Sequence, residues 1–208
     1  MVRKYMRPPT EKFNQIYTIG HSNHSWERFI DLLVEGRIEV LVDVRSSPYS
    51  RYAPHFNANM LQEPLRGAGI KFLYLGNMLG GRPEGEDFYD DEGHVYYDRI
   101  EKSPHFQEGI NRLLKGIQGQ RVALLCGEED PTYCHRRQLI GRVLRKQGIR
   151  VIHLRGDGRL QSEEELTTEE IINKHKGQMS LFGLHEAEEW KSIPSVSPKR
   201  ARRNSLKP

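Results

Sequence analysis

Apolar residues in this chain gather into short, nearly unbroken runs, separated by longer stretches in which they recur every three or four positions. The runs at 16–20, 40–44, 71–75, 122–126 and 151–154 predict strands. Their consecutive apolar residues, in place of strict alternation, suit strands covered on both faces. The amphipathic stretches at 25–35, 57–68, 104–117 and 135–147 predict helices. Ser25 is placed to cap the first, and Ser103 with Pro104 gives the third a cap and a first-turn proline. Gly69 and Gly148 follow the second and fourth as stops. Strands alternating with helices of this length predict a single α/β domain, a mostly parallel sheet flanked by helices and joined by right-handed crossovers. Functional residues then belong at the C-terminal ends of the strands.

Two segments depart from this rhythm. Residues 76–98 are rich in Gly, Asp and Glu, carry Tyr89, Tyr96 and Tyr97, and are too long for an ordinary connection, which predicts a lid or partner surface. The domain is expected over 1–160. The acidic run Glu163, Glu164, Glu165 and a helix at 168–174 then open a peripheral extension over 161–190, and 191–208 reads as a disordered basic tail.

Charge and composition sharpen the picture at the ends. Of the net charge of +4, six basic residues and no acid fall in 191–208, so residues 1–190 sum to −2 and the basicity belongs to the tail. No stretch approaches the roughly 18 apolar residues of a spanning helix, and the N-terminus lacks an apolar targeting region, so neither membrane insertion nor export is expected. With only Cys126 and Cys134 there is no basis for a disulfide-built fold, and a reducing compartment, the cytoplasm, is the expected location.

Three polar clusters sit at predicted strand ends. The first is Gly20, His21, Ser22, Asn23, His24; the second runs from Asp43 and Arg45 through Tyr49 and Ser50 to Arg51; the third runs from Cys126 through Glu128, Glu129 and Asp130 to Cys134, His135 and Arg136. With Leu79, Gly80 and Gly81, these residues resemble the bacterial and archaeal domain of unknown function 488 family over roughly residues 15–160. The resemblance implies a compact α/β domain with a shared polar site and supplies no reaction. The fourth-strand loop is also similar to that of rhodaneses, in which a strand delivers a cysteine into an anion-cradling loop, and Asp43, Val44, Arg45 is similar to their Asp-Val-Arg. This adds rhodanese-like or Rossmann-like layering to the expected fold.

The candidate chemistry is read from the side chains. His21 suits a general acid or base. Asp43 is placed to orient a histidine or Arg45, to hold a ribose hydroxyl, or to form a buried pair with Arg45. Arg45, Arg51 and Arg136 offer planar forks for phosphate, with Ser22 and Ser50 beside them. Tyr49 and Phe56 offer aromatic faces to a splayed base. Glu128 or Asp130 can activate water or face an oxocarbenium-like centre, with His135 completing the site, which points to a hydrolase of glycosidase type. Three carboxylates after Cys126 are expected to raise its pKa and disfavour a thiolate. No cofactor is expected, because Cys126, Cys134 and His135 match no usual zinc spacing.

Beyond the domain, Gln178, Met179, Ser180, Leu181, Phe182 resembles the short motif by which bacterial replication and repair proteins dock on the DNA sliding clamp. Leu181 and Phe182 would fill an apolar pocket, and Gln178 would add a directional hydrogen bond. The combined expectation is a DNA-associated enzyme of repair or nucleic-acid maintenance, hydrolysing or transferring at a nucleotide or base. The alternatives are a rhodanese-like sulfur transferase using Cys126 and a non-catalytic nucleotide- or DNA-binding adaptor.

Overall fold

The computed structural model describes residues 14–175 and 190–192. In chain order its strands and helices are β1 (Gln15–Gly20), α1 (Trp26–Glu35), β2 (Val40–Asp43), α2 (Ala58–Gly67), β3 (Lys71–Tyr74), α3 (Gly76–Leu79), α4 (Tyr97–Lys102), α5 (Pro104–Ile117) and β4 (Val122–Cys126). A π-helical turn (Arg136–Gly141) then runs into α6 (Arg142–Lys146), followed by β5 (Arg150–Leu154), β6 (Leu160–Ser162) and α7 (Glu163–His175). The strands form one sheet in the order β3-β2-β4-β1-β5-β6. All neighbours pair in parallel except β5 and β6.

The strand pleat sorts the apolar runs into two cores. From β4, Val122 and Leu124 join a core with α5, the π turn and α6, while Ala123 and Leu125 join a core with α1 and α2 on the opposite face. Successive residues of β4 therefore need to be apolar in both registers, which is why its five residues are all buried. Ser25 caps α1 by accepting from Arg28 N at 3.2 Å, and Ser103 caps α5 by accepting from Phe106 N at 3.3 Å.

The segment following β3 and the described residues after 160 are both built into this body. Leu79, Val95 and Tyr97 are buried in the α5 core. Trp190 packs edge-on against Tyr97 and donates from Nε1 to Gln138 O at 3.0 Å, and the buried Ser192 accepts from Val95 N at 2.9 Å. Glu163, the first residue of α7, is only 2% exposed. Glu163 is therefore an anchor while Glu164 and Glu165 stay exposed, and β6, too short to show a hydrophobic period, carries the chain to it.

The connectivity also decides where a ligand can enter. After β1 the chain turns to α1 on one face, and after the adjacent β4 it turns to the π turn and α6 on the other. Loops that leave neighbouring strands toward opposite faces open a crevice at the carboxyl ends of those strands. Gly20 lets the crevice close at its base: a Cβ there would fall inside the Glu128 carbonyl of the β4 loop. Gly20→Ala is expected to destabilise the fold by about 3 kcal/mol, the upper range of overpacking. Urea denaturation checks this, and an unchanged midpoint would count against the tight packing of the two loops.

Candidate active site

The crevice is a cleft of about 690 Å³ lined by residues from all three polar clusters. β1 supplies His21 and Ser22, β2 supplies Arg45, Tyr49 and Ser50, and the β4 loop supplies Cys126, Glu128, Cys134 and His135.

His21 is held from two sides. Its Nδ1 donates to Ser22 O at 2.8 Å, across a left-handed turn at Ser22 (φ 47°), and its ring stacks on Phe56 with centroids 4.5 Å apart. This tautomer leaves Nε2 as the nitrogen with the lone pair. Burial, followed by the Arg45 charge, pushes its pKa down to about 4. The ring is a neutral acceptor at physiological pH.

Asp43 is wholly buried and does not reach the cleft. It receives Arg45 Nε at 2.9 Å and Nη2 at 2.6 Å, and Nη2 also donates to Phe56 O at 2.8 Å. Nη1 takes no part in these bonds, so Asp43 fixes the plane of a guanidinium that borders the cleft.

Several expected roles are reassigned by packing. Phe56 has no exposed surface and supports His21 from below, so it cannot stack on a base. Asp130 accepts from Thr132 N at 2.9 Å and caps the short turn Pro131–Tyr133, a local task that accounts for its position. Arg51 is exposed outside the cleft lining. Arg136 is 1% exposed; its Nη2 donates to Glu129 O at 2.7 Å, Nη1 donates to Glu128 O, and Nε donates to Thr18 Oγ1 at 3.3 Å. With these donors committed to the loop, Arg136 shapes the cleft and does not hold phosphate. Tyr49 and the fully exposed Tyr52 remain at the mouth.

The cysteines depart furthest from expectation. Glu129 is held away by Arg155, whose Nε and Nη2 donate to it at 3.0 and 2.9 Å, and Glu128 is exposed at the cleft rim. The sulfur of Cys126 instead meets Cys134, the Arg136 charge and the peptide N–H groups of Gly127 and Glu128. The Cys134 hydrogen bond leads these in lowering its pKa to about 7, against the opposing effect of burial. Burial pushes the Cys134 thiol up. The acids were expected to raise the Cys126 pKa; they fail to because Arg155 pairs with Glu129, Thr132 N occupies Asp130, and Glu128 is exposed to solvent.

Cys126 and Cys134, eight apart in sequence, are brought together because the Asp130-capped turn folds the loop back on itself. Cys126 Sγ lies 3.6 Å and Cys134 Sγ 3.9 Å from His135 Nδ1, while His135 Nε2 donates to Val44 O at 2.9 Å. All three donor atoms lie within 4.8 Å of one another, and the side chains could hold a metal ion. Gly81 packs on the His135 ring so closely that a Cβ would stand 2.7 Å from its Cγ.

Residues 25–143, more than half of the chain, match the family described as domain of unknown function DUF488. The chain belongs to that family. No curated protein and no solved structure matches it. The DUF488 match contains Asp43, Arg45, Cys126, Glu128, Cys134 and His135; His21 lies just before its start and His153 and Glu163 lie beyond its end.

His153 and Glu163 complete a buried chain of hydrogen bonds behind the cleft that the sequence did not disclose. Arg136 donates to Thr18 Oγ1, Thr18 lies 2.8 Å from His153 Nδ1, and His153 Nε2 lies 3.0 Å from Glu163 Oε2. Since the guanidinium can only donate and the carboxylate only accept, Thr18 donates to Nδ1 and His153 donates through Nε2. Glu163 also accepts from Arg137 Nε at 2.9 Å. Burial holds the His153 pKa below its ordinary value, and although burial raises the Glu163 pKa, its His153 hydrogen bond and Arg137 bring it down on balance.

The depressed Glu163 pKa favours the fold at neutral pH, and both depressed values work against it in acid. As pH falls below 6.5, the unfolded chain protonates a histidine that stays neutral in the fold, and below 4.5 it protonates Glu163, which stays ionised in the fold. Stability is expected to drop from pH 7 toward pH 5, where His153 and His21 each add a slope of up to about 1.4 kcal/mol per pH unit. His153→Gln should reduce that slope, leaving the part due to His21, in urea titrations across this range; parallel profiles for the two proteins would refute the assignment.

Proposed function

We propose that the cleft is the active site of an enzyme that hydrolyses or transfers at a nucleotide or base. The observation that carries this reading is the convergence, from three strand ends, of a lone-pair imidazole nitrogen, an oriented guanidinium and a carboxylate in one cleft. Arg45 offers its cleft side to a phosphate or carboxylate, with Ser22 and Ser50 as smaller polar partners. Tyr49 and Tyr52 at the mouth give faces on which a planar base can stack. Neutral His21 accepts a proton, and Glu128 at the rim orients or deprotonates the attacking water. Arg51, Phe56, Asp130 and Arg136 have no direct part.

His21→Ala and Glu128→Gln are each expected to lower kcat/KM by about 10²- to 10⁴-fold, the range for loss of a general acid–base group. The check is a turnover screen of the full chain with nucleotides, nucleosides and oligonucleotides. Full activity in both variants would overturn these roles, and binding without turnover would favour an adaptor. A persulfide on Cys126 after incubation with thiosulfate would replace hydrolysis by sulfur transfer.

Recruitment to DNA through the bacterial sliding clamp belongs to the same proposal. Gln178, Met179, Leu181 and Phe182 lie outside the described residues, so the motif rests on its sequence. A labelled peptide of residues 174–186 is expected to bind purified clamp saturably, and alanine at both Leu181 and Phe182 should weaken it by roughly 10²-fold or more. Equal binding by the double-alanine peptide would remove the clamp from the proposal.

A further inference from the structure

We infer that Cys126, Cys134 and His135 form a binding site for one divalent zinc ion, with its fourth position opening on the cleft. Zinc–sulfur bonds of about 2.3 Å and a zinc–nitrogen bond of about 2.0 Å, meeting at tetrahedral angles, put sulfur and nitrogen about 3.6 Å apart. The two observed separations from Nδ1 are 3.6 and 3.9 Å, and no pair among the three donor atoms exceeds 4.8 Å.

The imidazole is also prepared for a metal. Its Nε2 proton is given to Val44 O at 2.9 Å, which fixes the tautomer and leaves the Nδ1 lone pair aimed at the two sulfurs. Gly81 behind the ring prevents it from swinging away. A backbone carbonyl bonded to the outer nitrogen of a histidine is the usual outer support of a metal-bound imidazole. On binding, each thiol gives up its proton, and two thiolates with a neutral imidazole balance the charge of the ion. All three side chains are buried, so the ion would be shielded from solvent except on the cleft side.

Three protein ligands and one open position are the arrangement of a catalytic zinc site, whereas a structural site is closed by four. Zinc would there act as a Lewis acid on a bound water or on a substrate oxygen. That catalytic use rests on the hydrolytic reading above, but the binding of the ion does not. The other group of potential ligands among the described residues, Asp90, Glu92 and His94, is more open, contains no sulfur, and places Asp90 3.1 Å from the Lys191 ammonium.

The test uses the full chain purified from zinc-supplemented medium without chelator. Stoichiometric zinc is expected by elemental analysis. Titrating the wild-type protein with an organomercurial should release zinc in step with modification of Cys126 and Cys134, a readout that needs no variant. Replacement by cobalt should produce thiolate-to-cobalt charge-transfer absorption, lost in Cys126→Ser and Cys134→Ser variants that keep the wild-type circular dichroism. Glu128→Gln should retain its zinc even where turnover is lost, which separates failure of the hydrolytic reading from failure of the metal site. Two thiols that react freely in a protein taking up no zinc or cobalt, or zinc released without modification of either cysteine, would overturn the proposal.

Discussion

A buried guanidinium governs this structure. Arg136 has 1% of its surface exposed, and a cation so far from water is tolerable only when its charge and donors are met by protein groups. The carbonyls of Glu128 and Glu129 and the Thr18 hydroxyl meet them. The requirement runs both ways: the arginine needs the loop folded back, and the folded loop puts Cys134 and His135 beside Cys126. Thr18, His153 and Glu163 extend the same constraint to α7, so the cleft is held by residues lying well beyond it in sequence.

The adjoining arginine shows how the backbone serves this arrangement. Arg136 and Arg137 are consecutive in the π turn, yet Arg136 reaches the β4 loop while Arg137 reaches Glu163 and Glu170 in α7. A π turn is wider than an α-helical one and is often found beside functional sites. Here it separates two long cationic side chains and gives each its own buried partner, so the cleft and α7 are braced from one point in the chain.

Much of the fold was legible because it follows from local rules. β1, β2 and β4 announced themselves through runs that must be apolar on both faces, whereas the similar run of β3 lies at the sheet edge with Lys71 and Leu73 exposed, and Ser25 and Ser103 marked helix starts through capping. β6 stayed hidden because Leu160, Gln161 and Ser162 are too few to show a period. The placement of His21, Arg45, Glu128 and His135 at strand ends was likewise readable from topology. What composition could not tell was direction: Arg136 and Phe56 look like ligand-binding residues until packing turns them inward, and the acids after Cys126 look hostile to a thiolate until Arg155 draws Glu129 away. Cys126 and Cys134 meet only because of the turn between them, and the Asp130-Pro131 step was the available signal for it.

The strand order has a consequence for the chain as it is made. β1 and β2 do not pair with each other; β4 lies between them, although roughly 80 residues separate the end of β2 from its start. At synthesis rates of about 5–20 residues per second, the first strands wait on the order of 4–16 s for their common neighbour. During that interval the edges of β1 and β2 that β4 will cover have no partner, and their apolar residues face water. The arrival of the Cys126 strand closes these two edges, while the other edge of β1 stays open until β5 is made.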